Sequence, residues 1–268
     1  MRLAPTLVAK QRIPPKTAWQ RGPGAPDLPP SGPCSPTVVI MRFSCIVFDL
    51  NGTLVDTSAS LTVAANELLA RHNLPTVESE QVRRLDCQDP RSLLRSVFAL
   101  AGSAMSDAEL TEQLDHFELL YDNHLLELTR PCPDARRVMQ TLHERQVKLS
   151  VLTNKPQQSA VKTLDHFGLT RYLDYLVSGD MGLRQKPDPA GLLEIMEKSQ
   201  VEADRTLMVG NRRFHLLAAR NAGVKSACCM TFTDRVTALA MGTDYVLNDL
   251  DQLIDLVTRR RTSGVFAP

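Results

Sequence analysis

The sequence predicts an α/β fold: a parallel sheet covered by helices, with a separate helical unit inserted early in the chain. Three observations carry this expectation. Residues 45–48, Cys-Ile-Val-Phe, form a short apolar run that ends at Asp49 and a turn dipeptide, as a fully buried strand does. From residue 147 onward strand-like and helix-like segments alternate, and such alternation lays helices over both faces of a parallel sheet. Between these parts, residues 59–129 show helical spacing with no convincing strand.

Residues 1–40 differ in kind from the rest. They hold nine prolines, five Lys or Arg and one acid, Asp27. Such a segment cannot bury a core, and a disordered extension is expected. It lacks the apolar centre of a secretory signal, and its proline load opposes the amphipathic helix of a transit peptide. The core is expected over 41–58 and 130–262, with the helical unit over 59–129. Apolar residues recur at three- and four-residue spacing over 61–74, 81–85, 92–100 and 107–128, after which Pro131-Cys132-Pro133 returns the chain to the core. Strands then follow at 147–153, 175–178, 206–210, 226–230 and 245–247. Helices fall at 157–167, 189–199, 213–222, 236–241 and 250–259, and Gly223 stops the third of these.

A chain of 268 residues with 43% hydrophobic content buries one large core, or one core with a smaller attached domain. Its net charge of +1 supplies no field for nucleic acid or an anionic membrane. No apolar run approaches the length that spans a bilayer. The six cysteines lack metal-ligand spacing and read as free thiols of a reducing, cytoplasmic compartment. No feature fixes an oligomeric state.

The chemistry is expected at strand ends. Asp49 stands at the carboxyl end of a buried strand, where open α/β sheets bind ligands, and a carboxylate there serves as a nucleophile or a cation ligand. Equally, Asn51-Gly52 reads as a hairpin turn with Asp49 closing a strand. Thr153-Asn154 follows the strand at 147–153 and has an alternative as a helix N-cap, and Lys186 has one as a solvated loop residue.

Four segments in order resemble the four motifs of the haloacid dehalogenase superfamily. They are Phe48-Asp49-Leu50-Asn51-Gly52-Thr53-Leu54-Val55-Asp56-Thr57, Thr153-Asn154 in Val-Leu-Thr-Asn-Lys, Lys186 in Lys-Pro-Asp-Pro, and Val209-Gly210-Asn211 with His215. The chain is similar to the phosphoglycolate-phosphatase-like group over roughly residues 43–258. The resemblance implies a Rossmannoid core with an inserted α-helical cap and Mg²⁺-dependent hydrolysis of a small phosphorylated metabolite. It implies Asp49 as the nucleophile that forms an aspartyl phosphate, Thr153 and Asn154 as phosphate donors, and Lys186 as the cation beside both.

The chain departs from that pattern where charge matters. Two residues after the nucleophile the family places an aspartate that protonates the leaving oxygen; here it is Asn51, and an amide exchanges no proton at accessible pH. Family carboxylates of the fourth motif are replaced by Asn211 and His215. The implied Mg²⁺ ligands are Asp49, the Asn51 carbonyl and Asn211, a weak set, because Mg²⁺ prefers carboxylate and phosphate oxygens. Hydrolysis is therefore expected to be weakened or lost. Two alternatives stay open: an active phosphatase in which water, His215 or Asp56 compensates, and a noncatalytic module that binds a phosphate ligand or a partner. Arg212 and Arg213 flank the fourth motif and either face the anion or point into solvent. Arg91 either reaches a substrate carboxylate or only follows Pro90 at a helix start. Asn51-Gly52 is also a sterically open pair in which deamidation would restore the missing acid.

Overall fold

The computed structural model describes residues 39–230 and 233–260. The chain runs through β1 (Val39–Met41), β2 (Cys45–Phe48) and β3 (Val55–Asp56). It then enters α1 (Ser58–Arg71), α2 (Ser79–Arg84), α3 (Pro90–Leu100) and α4 (Asp107–Leu128), and returns through β4 (Arg130–Pro131). Next come α5 (Ala135–Glu144), β5 (Lys148–Leu152), α6 (Gln157–His166), β6 (Tyr175–Val177), α7 (Ala190–Ser199), β7 (Thr206–Gly210) and α8 (Arg213–Asn221). The last elements are β8 (Lys225–Cys229), α9 (Arg235–Ala240), β9 (Tyr245–Leu247), α10 (Gln252–Val257) and β10 (Thr258–Arg260).

Six strands pair in parallel in the order β6-β5-β2-β7-β8-β9. Along β2 successive side chains serve opposite faces. Ile46 and Phe48 pack with Val138, Leu142, Leu164 and Leu253 from α5, α6 and α10, whereas Cys45 and Val47 pack with Leu192, Ile195 and Ala218 from α7 and α8. Both faces are thus covered, which explains the unbroken apolar run at 45–48.

Strand order reverses at β2. From β2 the chain goes to β5 and β6 on one side, then crosses to β7, β8 and β9 on the other. The carboxyl ends of β2, β5 and β7 therefore open onto one crevice, the topological switch point of the sheet. Phe48 lies opposite Val151 on one flank and Val209 on the other, so Asp49, Thr153 and Asn211 all emerge at this edge.

The helical unit folds around its own core, including Leu68, Leu94, Phe98, Leu110 and Phe117. Its helices start where the sequence supplies caps. Asp89 accepts the Ser92 N–H at 2.8 Å with Pro90 at the first position of α3, and Ser106 with Glu109 forms a capping box on α4. The β3–β4 ribbon, with Val55 opposite Pro131, makes the chain leave and re-enter the core side by side.

Three boundaries differ from expectation. Val39 and Ile40, assigned to the extension, form β1 with Met41 and pair with Thr258–Arg260, where the closing helix was expected to run on. Three-residue strands are too short to show a period of two. Helix α1 begins at Ser58 because the Asp56 carboxylate accepts both the N–H and the hydroxyl of Ser58, at 2.9 and 2.6 Å. The rest of the proline-rich extension lies outside the described residues, as do Cys34 and Trp19. Among the described residues no helix is long and apolar enough to cross a membrane, and the five cysteines are free.

Candidate active site

Asp49 is 4% exposed at the end of β2 and marks the floor of a cavity of about 350 Å³ between sheet edge and cap. Lys186 reaches it from the loop before α7. That loop is held by a reciprocal pair of bonds: Lys186 N–H to Asn154 Oδ1 at 3.1 Å, and Asn154 Nδ2 to the Lys186 carbonyl at 3.2 Å. The Lys186 ammonium donates to Asp49 Oδ1 at 2.5 Å and to the Leu152 carbonyl. Burial pushes the Asp49 carboxyl up and the Lys186 ammonium down, and the attraction between them opposes both shifts.

His215 is the second side chain close to Asp49 Oδ1. Its Nδ1 accepts the backbone N–H groups of Asn211 and Arg212, each at 3.3 Å, so the ring proton resides on Nε2. Nε2 stands 3.3 Å from Asp49 Oδ1. Burial holds the imidazole pKa far below its usual range, and the positive Lys186 and Arg212 push it further down, so the ring is neutral. The ring is also clamped. A Cβ at Gly210 would fall 2.5 Å from Nδ1, so the imidazole lies directly on the Gly210 backbone.

Asn51 and Asn211 complete the inner wall. Asn51 Oδ1 and both polar atoms of the Asn211 amide are buried without a partner, as is Thr53 Oγ1. The turn between them is fixed: the Gly52 N–H donates to the Val55 carbonyl at 2.6 Å with φ +78°. Deamidation requires that nitrogen to attack the Asn51 side chain, and its hydrogen bond to Val55 opposes the attack.

The cap touches the core at four points around this wall. Arg212 donates to the Arg83 carbonyl at 2.5 Å, Asn154 Nδ2 to the Gln88 carbonyl at 3.1 Å, Lys155 to the Tyr121 hydroxyl at 2.6 Å, and Ser159 to Asp122 at 2.9 Å. Of the anticipated residues, the fold brings together Asp49, Asn51, Thr153, Asn154, Lys186, Asn211 and His215. Three side chains are placed differently from the reading that gave them a ligand. Arg91 turns away: it bonds the Asp107 carbonyl and the Thr111 hydroxyl across α3 and α4, so it follows Pro90 as a helix-start residue. Asn154 spends its amide on Gln88 and Lys186, which makes it a clip between cap and core rather than a phosphate donor through its side chain. Arg212 lines the cavity, whereas Arg213 is exposed.

Lys155 and Tyr121 were missed. Lys155 carried a faint signal, directly after Thr153-Asn154 at a strand end; Tyr121 carried none, because a helix period cannot say which residue roofs a site. Burial lowers the Lys155 amine to about 7, with Asp122 opposing. Its unfolded value is near 10.5, so between these limits the native state binds fewer protons and stability rises with pH. Urea midpoints of the wild type should climb from pH 7 to 10, with Lys155 contributing up to about 1.4 kcal/mol per pH unit. In Lys155→Met that share of the slope should vanish; an unchanged slope would contradict a neutral buried amine.

The donors around Asp49 do not fit a divalent cation. Among the described residues no cluster of three or more His, Cys, Asp or Glu side chains could hold one. Asp49 Oδ1 already faces an ammonium and an imidazole N–H, and Asp56, a second carboxylate on the cavity, is bonded to Ser58 and Arg83. Asn51 and Asn211 add only neutral oxygens, where Mg²⁺ requires carboxylates.

A family model described as haloacid dehalogenase-like hydrolase matches residues 46–229. The phosphoglycolate phosphatase of Agrobacterium fabrum is 33% identical over 208 residues, spanning 77% of this chain and 89% of that protein. The phosphoglycolate phosphatase of Pseudomonas fluorescens is 35% identical over 183 residues, 67% of this chain and 66% of that protein. A crystal structure of a predicted phosphoglycolate phosphatase from Haemophilus somnus superposes with a TM-score of 0.74 at 22% identity, covering 81% of this chain and 99% of that one; it shares the fold.

Proposed function

The chain belongs to the haloacid dehalogenase-like hydrolases, and from that premise we propose that it is a phosphoglycolate-phosphatase-like member whose hydrolysis of small phosphomonoesters through Asp49 is much weakened or lost. In the family reaction a carboxylate attacks phosphorus, the phosphoryl group moves onto it, and the leaving oxygen takes a proton. Asp49, Thr153 and Lys186 retain the geometry for the first part. The position that performs the proton step in the family carries Asn51, whose amide has no proton to give at accessible pH.

The observation that carries this reading is the chemistry of the side chains at the family's acid and metal positions around Asp49. Asn51, where the acid is expected, has a partnerless amide oxygen and no labile proton. Asp56 cannot substitute, since one oxygen holds Ser58 and the other Arg83 at 3.3 Å. His215 cannot either, because one ring nitrogen accepts two backbone donors while the other faces Asp49. General acid–base catalysis is worth about 10² to 10⁴ in rate, and that factor is forfeited.

An aryl phosphate and a panel of small phosphate esters, phosphoglycolate included, assayed with Mg²⁺ should be turned over by wild type no faster than by Asp49→Ala. A wild-type rate about 10²-fold above that variant would refute the reading.

A further inference from the structure

Resting on the phosphatase ancestry above, we propose that this pocket receives a tetrahedral phosphate oxyanion without any divalent cation, because Asn51, Asn211 and His215 stand around Asp49 where further carboxylates would be needed to hold one.

Asp49 Oδ1 receives Lys186 Nζ at 2.5 Å and has His215 Nε2 3.3 Å away, and Asn51 and Asn211 offer no carboxylate to complete a cation's ligand set. Moving His215 aside would break its contact with the Gly210 backbone and strip two buried N–H groups of their acceptor. Unpaired buried donors each cost about 1–3 kcal/mol, so the ring stays.

Charge at the inner end of the cavity points the same way. Whichever of Asp49 and Lys186 holds their shared proton, the pair sums to zero, and Arg212 beside it adds one positive charge. Asp56 does not change the balance, because Arg83 pairs with it. Close to Asp49 there is thus no surplus negative charge to hold a doubly charged cation; the further carboxylates on the cavity lining are Asp89, Glu118 and Asp122.

Unspent donors line the same wall. Asn211 Nδ2 is buried and without a partner, and Asn211 as a whole is 2% exposed on the cavity lining. Thr153, 4% exposed, accepts the Lys155 N–H on its hydroxyl oxygen and has no acceptor for its own proton among the described residues. A phosphate group supplies acceptor oxygens for both, and its ester oxygen leaves the rest of the ligand toward the cap.

Calorimetric titration of the full chain with inorganic phosphate, once with a chelator and once with millimolar Mg²⁺, tests this. Dissociation constants should agree within about twofold. Thr153→Val, which keeps shape and loses the hydroxyl, should weaken phosphate binding by about tenfold in both buffers. The double variant Asn211→Asp, His215→Asp should bind phosphate at least about tenfold more tightly with Mg²⁺ than without. Wild-type binding that needs Mg²⁺, no saturable binding in either buffer, or an unchanged affinity in Thr153→Val would each overturn the proposal. Turnover is read separately: a wild type that hydrolyses esters in chelator would refute the loss of catalysis and leave cation-free binding standing.

Discussion

The triple variant Asn51→Asp, Asn211→Asp, His215→Asp is expected to hydrolyse small phosphomonoesters in Mg²⁺ at least about 10² to 10⁴ faster than wild type. Asn51→Asp returns a proton that can be given and taken. Asn211→Asp adds a carboxylate to a wall that now has only a partnerless amide. The His215→Asp change removes the N–H from Asp49 Oδ1 and puts an anion in its place. At 4 Å and an effective dielectric near 20, each restored unit charge favours a nearby cation by about 4 kcal/mol before desolvation is subtracted. The single variants should gain little, because proton transfer and charge neutralisation act on one transition state and neither suffices alone. Initial rates with and without chelator measure this. A folded triple variant with no gain would show that something other than these three positions disables the site.

Removal of Lys186 should give the largest loss of stability. Lys186→Met leaves the Asp49 carboxylate buried without its ion-pair partner, and breaking a buried pair from one side costs about 3–5 kcal/mol. Asp49→Asn keeps an acceptor for Lys186 and should cost less; the double variant Asp49→Asn, Lys186→Met should recover much of the Lys186→Met loss, which a double-mutant cycle in urea would read as coupling. The sign with pH is fixed by the carboxyl. In Lys186→Met its native pKa is raised above the unfolded value, so the variant is most stable below the unfolded value and loses stability as pH rises through the native one. The deficit relative to wild type should therefore shrink in acid. A deficit that grows as pH falls would mean that Asp49 is stabilised as an anion by groups other than Lys186.

The placement of Asp49, Thr153 and Asn211 was legible because a buried run that ends in a polar residue marks the carboxyl edge of a parallel strand, and the sheet order then brings three such ends together. Reading Asn51, Asn211 and His215 as replacements for acids rests instead on the resemblance to the haloacid dehalogenase motifs. What each polar side chain touches was not. Asn154 and Arg91 read as ligand contacts, yet one clips Gln88 to the Lys186 loop and the other bridges α3 to α4. A long or bifunctional side chain has backbone acceptors within reach in several directions, and tertiary packing alone selects among them. His215 had no stated neighbour, since its approach to Asp49 joins elements far apart in sequence. The β1–β10 pairing was hidden by its length, and Tyr121 by the helix period that makes every core-facing residue look alike.

Crystals of the full chain soaked in manganese chloride, with anomalous scattering recorded at the metal edge, test most directly whether this pocket has exchanged its cation for protein donors. The expected map has no peak within coordination distance of Asp49, with His215 Nε2 still 3.3 Å from its carboxylate. An octahedral ion bridging Asp49, the Asn51 carbonyl and Asn211, with His215 swung aside, would contradict the account.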